Sequence, residues 1–199
     1  MPEIVAIVVD NGISSQNQDY LPSRFAIQKE TVTSIINKMF DGSAENKLGI
    51  FPTCQEIKNK IITPTSDKQF LYDFIFELDL DKTLDYSLAL FQADQALQLS
   101  ELTTKKMLLF LSSPIEEFGK VLEEISNIAT KGITLKVICM GEAVNFGEMA
   151  REELQMDHVD FLLLKPEHYV EDEIYAFLLD EQYEDPELKE ALEKSMYEK

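Results

Sequence analysis

The side chains best suited to bond-making chemistry in this chain are two histidines, His158 and His168, and two cysteines, Cys54 and Cys139. The histidines lie ten positions apart on either side of the run VDFLLL, so no HxxxH or HExxH spacing sets them on one helix face. Solvated or locally capping imidazoles are expected. The cysteines stand in dissimilar contexts without CxxC spacing, which suits a reducing compartment and argues against a disulfide framework or a zinc site. Cys139 is embedded in ITLKVICMG with no cationic activator close in sequence, so it reads as a structural thiol. The chain has no GxSxG elbow, no phosphate-binding GxxxxGK loop and no GxGxxG turn. Its many carboxylates, as in EEFGKVLEEI, have the spacing of solvated helix faces. No catalytic residue, no cofactor and no enzyme activity are expected.

Recognition chemistry is better represented. The segment EDPELKEALEKSMYEK, Glu184 to Lys199, repeats apolar or small residues at Leu188, Ala191, Leu192, Ser195 and Met196. That i, i+3, i+4, i+7, i+8 spacing is one stripe of a helix. Asp185 is placed to cap it and Pro186 fits its first turn, where the missing N–H would have no intrahelical partner. Glu184, Asp185 and Glu187 stand at the positive end of the helix dipole, with Lys194 and Lys199 toward the negative end. A free helix of this length is marginal in water and needs something to cover its stripe. The cover is either a partner or the chain's own domain. Ala191 and Ser195 are small where a core-facing helix would carry larger residues, which favours a partner that approaches the backbone closely.

The rest of the chain must hold this segment in place. Its 199 residues, 45% of them apolar, suffice for one globular domain at residues 1–182 and a small appendage at 183–199. A formal charge of −19 disfavours nucleic acid and anionic membranes, which leaves proteins as partners. MPEIVAIVVD reads as a strand rather than a signal peptide, and no stretch approaches the roughly 20 apolar residues of a membrane span. A soluble intracellular protein is expected.

Short apolar runs alternate with longer periodic segments, the pattern of a mostly parallel sheet with helices on both faces. Ile4 to Val9 is apolar throughout, as in a central strand. MLLFLSSP, ITLKVICMG and VDFLLLKP are further strands, and KLGIF with NKIITP forms an antiparallel pair at one edge, being too close for a crossover. Helices are expected over 24–40, over DKQFLYDFIFEL, over EEFGKVLEEISNIATKG up to Gly132, over GEMAREELQ and over EHYVEDEIYAFLLDEQ. In LDYSLALFQADQALQL, Leu84, Leu88, Phe91, Ala96 and Leu97 are read as the buried side.

In this order of elements, the strings VVDN (Val8 to Asn11), SRFAIQ (Ser23 to Gln28), NKLGI (Asn46 to Ile50), SLAL (Ser87 to Leu90), LSSP (Leu111 to Pro114) and GE (Gly141, Glu142) are informative together. They resemble the von Willebrand A domain of the proteasomal ubiquitin-receptor family, whose members carry ubiquitin-interacting motifs after that domain. The resemblance implies an α/β, Rossmann-type fold and a non-catalytic regulatory-particle subunit, cytoplasmic and nuclear. It also implies that Glu184, Asp185, Glu187, Leu188, Ala191, Leu192, Ser195, Met196 and Glu198 contact ubiquitin or polyubiquitin. The alternative is an A-type interaction module of another assembly with a structural terminal helix. Many A domains hold a divalent cation with a DxSxS loop, a threonine and an aspartate. Here DNGIS keeps Asp10 and Ser14 but has Gly12 at the first serine, Leu84 at the threonine and Ser112–Ser113 for the aspartate. One carboxylate and one serine are too few for magnesium, so no metal is expected and Asp10 is read as a turn-holding acceptor.

Overall fold

Because Ile4 to Val9 have no polar face, the strand they form must be covered on both sides. The computed structural model, which describes residues 1–55, 61–166 and 170–180, places that strand, β1 (Glu3–Val9), in the middle of the sheet. It runs parallel to β2 (Lys47–Pro52) on one side and to β4 (Thr104–Leu111) on the other. The order is β3-β2-β1-β4-β5-β6, with β5 (Thr134–Cys139) and β6 (Val159–Leu163) parallel at one end. At the other end β3 (Ile62–Thr65) is antiparallel to β2, as its short connection requires.

Alternation along the strands divides the core in two. Ile4, Ala6 and Val8 of β1 join Met107, Leu109 and Leu111 of β4 beneath α3 (Tyr86–Gln98), α4 (Phe118–Ala129) and α5 (Val144–Glu153). Val5, Ile7 and Val9 join Leu108 and Phe110 beneath α1 (Arg24–Gly42), α2 (Lys68–Glu77) and α6 (Val170–Leu178). Local signals fix the helix starts. Ser23, Asp67 and Asp85 each accept a bond from a first-turn amide, at 3.1, 3.0 and 2.9 Å. Gly132, at φ 75°, closes the turn after α4, a conformation glycine adopts without steric cost.

The expected fold class therefore holds: a mostly parallel sheet, one antiparallel edge strand, and helices on both faces. The face of α3 holds only in part: Leu97 is buried and Leu84 and Ala96 pack against the core, but Leu88 and Phe91 are exposed, and the core side is centred on Tyr86, Ala89, Leu90, Ala93 and Leu97. Alanines let this helix lie close against β1 and β2, so the large residues one step around the helix point outward. The expected C-terminal helix over 183–199, the boundary at residue 182 and His168 fall outside the described residues.

Candidate functional site at the carboxyl edge of the sheet

Beyond β1 and β4 the chain turns to opposite faces of the sheet, and the loops that follow part to leave a crevice, the usual place for ligands in such sheets. Asp10 stands at the end of β1 in that crevice and is fully buried. Five groups lie within hydrogen-bonding distance of its carboxylate. Oδ1 accepts from the Gly12 amide at 3.0 Å and the Ser113 hydroxyl at 2.9 Å, with the Ser15 hydroxyl farther off at 3.3 Å. Oδ2 accepts from the Ser112 amide at 2.7 Å and from the Tyr86 phenol. The four shorter bonds match the roughly four lone-pair positions of a carboxylate.

The residues around Asp10 do not fit a cation. A side chain at Gly12, where the metal loop would carry its first serine, would place its Cβ 2.7 Å from Ser113 Oγ and 3.1 Å from Asp10 Oδ1. Among the described residues no cluster of three His, Cys, Asp or Glu is arranged to hold a metal. Burial, and next the charge of Asp10, push the Tyr86 phenol well above its ordinary pKa, so it stays protonated and keeps donating. It is Ser15, rather than Ser14, whose hydroxyl reaches Asp10, donating to the carbonyl at 2.7 Å. The expectation that Asp10 holds its own turn is right for Gly12 and too narrow, because the carboxylate also ties in the loop after β4 and the first turn of α3.

Two side chains of α1 complete the arrangement. The Gln28 amide pairs with both backbone groups of Asp10: Oε1 accepts from its N–H at 2.8 Å and Nε2 donates to its carbonyl at 3.0 Å. One turn earlier, the buried Arg24 donates to Asp19 through Nε (2.9 Å) and Nη2 (2.5 Å), to the Ser112 carbonyl at 2.6 Å, and to Glu142. The Arg24 hydrogen bonds hold the carboxyls of Asp19 and Glu142 below their ordinary values. Gly141 sits at φ 57° against the guanidinium, where any Cβ would overlap it. Asn11, next to Asp10, is buried and fastens a neighbouring loop, accepting from the Cys54 amide at 2.8 Å and donating to the carbonyls of Cys54 and Asp79, each at 3.1 Å.

Reading the sequence missed Tyr86, Arg24, Asn11 and the role of Gln28. Gln28 left a trace, as a polar residue inside the apolar stripe of α1, whereas Tyr86 left none. The two cysteines are buried as expected, and burial pushes the Cys139 thiol up to about 12. His158 lies against the Ala129 carbonyl at 2.7 Å, a local cap at the end of α4. The recognition residues expected from Glu184 to Glu198 lie outside the described residues.

A central carboxylate at the end of β1, answered by hydroxyls and amides of the next loops on a 3-2-1-4-5-6 sheet, defines an A-type domain in which that carboxylate is satisfied by the chain's own donors. The profile of the von Willebrand factor type A domain matches residues 5–119, and the chain belongs to that family. Among similar proteins is a 26S proteasome non-ATPase regulatory subunit 4 homolog of Oryza sativa subsp. japonica, 27% identical over 143 residues, covering 70% of this chain and 36% of the relative. Another is the 26S proteasome regulatory subunit rpn10 of Schizosaccharomyces pombe, 27% identical over 146 residues, covering 72% of this chain and 60% of the relative. Among solved structures, the VWA domain of SpRpn10 superposes with a TM-score of 0.72 at 22% identity, over 87% of this chain and 94% of that one. The matches thus span only 36% to 60% of the length of these two curated relatives.

Proposed function

We propose that this chain is a non-catalytic subunit of the proteasome regulatory particle, docked through its A domain, and that residues 183–199 capture ubiquitin or polyubiquitin on proteins to be degraded. The observation that carries the first half is the likeness, over 70% and 72% of the chain, to two relatives named as regulatory subunits of the 26S proteasome. The closed Asp10 centre supports a scaffold role, since every polar group there is spent on holding loops rather than on a ligand. The protein then shares the cytoplasmic and nuclear distribution of that assembly.

The second half rests on side-chain chemistry in the tail. Ala191 leaves room for the backbone to approach a shallow apolar patch, Leu188, Leu192 and Met196 cover it, and Ser195 bonds at its edge. Glu184, Asp185, Glu187 and Glu198 meet a basic rim and aid encounter. So small a patch gives a Kd on the order of 0.1–1 mM for one ubiquitin, lowered by avidity on chains of several. Two experiments test the reading. The tagged chain is expected to co-purify with regulatory-particle subunits, and the full chain to shift the amide resonances of isotope-labelled ubiquitin. Loss of the first removes the assembly, and shifts that persist unchanged in Ala191→Arg remove the motif.

A further inference from the structure

We propose that the groove between the C-terminal ends of α1 and α6 is a docking site for this chain's own residues 183–199, which ubiquitin must displace. The groove encloses about 460 Å³ at the amino ends of the strands. Val5 of β1 and Leu108 of β4 form its floor, Met39 of α1 one wall, and Leu178 at the end of α6 with Leu179 just beyond it the other. Leu179 is 41% exposed, an aliphatic residue open to water beside an apolar floor. No element among the described residues fills this space.

Two observations identify the occupant. The first is where the chain leads. Asp180, the last described residue, itself lines the groove, and the 19 residues that follow must start from it. Residues 181–185 reach at most about 17 Å when extended, and a helix over 186–198 is about 20 Å long, so the stripe can lie in the groove without crossing the sheet. The second is charge. On a chain of net −19, this groove is lined by three lysines, Lys38, Lys106 and Lys136, against the carboxylates of Glu3 and Asp180. Residues 181–199 carry seven carboxylates and three lysines together with the stripe of Leu188, Leu192 and Met196. An acidic amphipathic helix meets less repulsion here than an acid-lined surface would offer. A tether this short gives an effective concentration of order millimolar, so an intrinsic affinity near 1 mM leaves the segment docked about half the time.

Ubiquitin binding by the same stripe, which rests on the function proposed above, then competes with docking. The probes are methyl resonances of Ile35, Met39 and Leu108 in the full-length chain. Leu192→Asp is expected to shift them, and Lys38→Glu to shift them the same way. Shifts that vanish on dilution of the wild type would assign the groove to a second copy instead and overturn the proposal, as would methyls that ignore both substitutions. Unlabelled ubiquitin is expected to reproduce the Leu192→Asp shifts, and Lys38→Glu to tighten ubiquitin binding up to about twofold by removing the docked population. The two readings fail separately. Ubiquitin that binds without moving the groove methyls overturns the docking alone. Methyls that respond to Leu192→Asp in a chain that binds no ubiquitin uphold the docking and remove the ubiquitin reading.

Discussion

The phenol of Tyr86, in the first turn of α3, donates its hydrogen to Oδ2 of Asp10 at the end of β1, in a centre that shows no solvent exposure at Asp10. This bond engages one of the two carboxylate oxygens that a cation would need. Tyr86→Phe keeps the ring and removes the donor, which leaves part of a buried charge unanswered. We expect a loss of about 1–3 kcal/mol in urea unfolding. Magnesium at millimolar concentration should leave the melting temperature of the wild type where EDTA leaves it. A rise of several degrees on adding magnesium would show that the centre opens to the ion.

Gly141 and Gly119 offer a paired test of backbone and space. At Gly141 the backbone is left-handed and a Cβ overlaps the Arg24 guanidinium, so Gly141→Ala should cost more than about 2 kcal/mol and lower the melting temperature accordingly. At Gly119, inside α4, a Cβ meets nothing within 4 Å, and Gly119→Ala should stabilise by about 0.5–1 kcal/mol. Equal effects at the two sites would contradict the packing around Arg24.

The carboxyls of Asp19 and Glu142 are held low by Arg24, so their contribution to stability is complete above the ordinary carboxyl range and is lost as the pH falls through their lowered folded-state values. The variant Asp19→Asn with Glu142→Gln leaves the buried arginine without either carboxylate; those carboxylates are 38% and 49% exposed and screened by solvent, so the cost at neutral pH should be about 1–2 kcal/mol. Its deficit relative to wild type should stay constant down to about pH 5 and shrink below about pH 4. A deficit independent of pH across that window would remove the ion pairs as its cause.

With its pKa pushed up to about 12 and no solvent contact, the Cys139 thiol should resist iodoacetamide in the native state at pH 8 and react only at the rate of unfolding. Labelling of Cys139 at the rate of a free thiol would place it in a site that opens.

The strands were legible because each is a run of apolar residues too short for a helix, and the antiparallel edge pair because its short connection forbids a crossover. The inward face of α3 was not, since periodicity weighs Leu88 and Phe91 above Ala89 and Ala93, while close packing on β1 and β2 needs the smaller pair. In the site, the sequence pointed to Asp10 and to the gap at Gly12. It could not point to Tyr86 or Arg24, whose bonds to Asp10 and Glu142 span 76 and 118 positions, because nothing local records a contact made by chain closure.

Gln28 has a mechanical consequence. Its amide pairs with the N–H and the C=O of Asp10 as a strand neighbour would, so α1 is stitched to the end of β1 as though it were one more rung of the sheet. Arg24, on the same helix, is pinned to the Ser112 carbonyl and to Glu142. Sliding α1 by one residue, about 1.5 Å, would break all of these bonds at once. A helix clamped in this way is held against piston-like sliding, and α1 keeps its register on the end of the sheet.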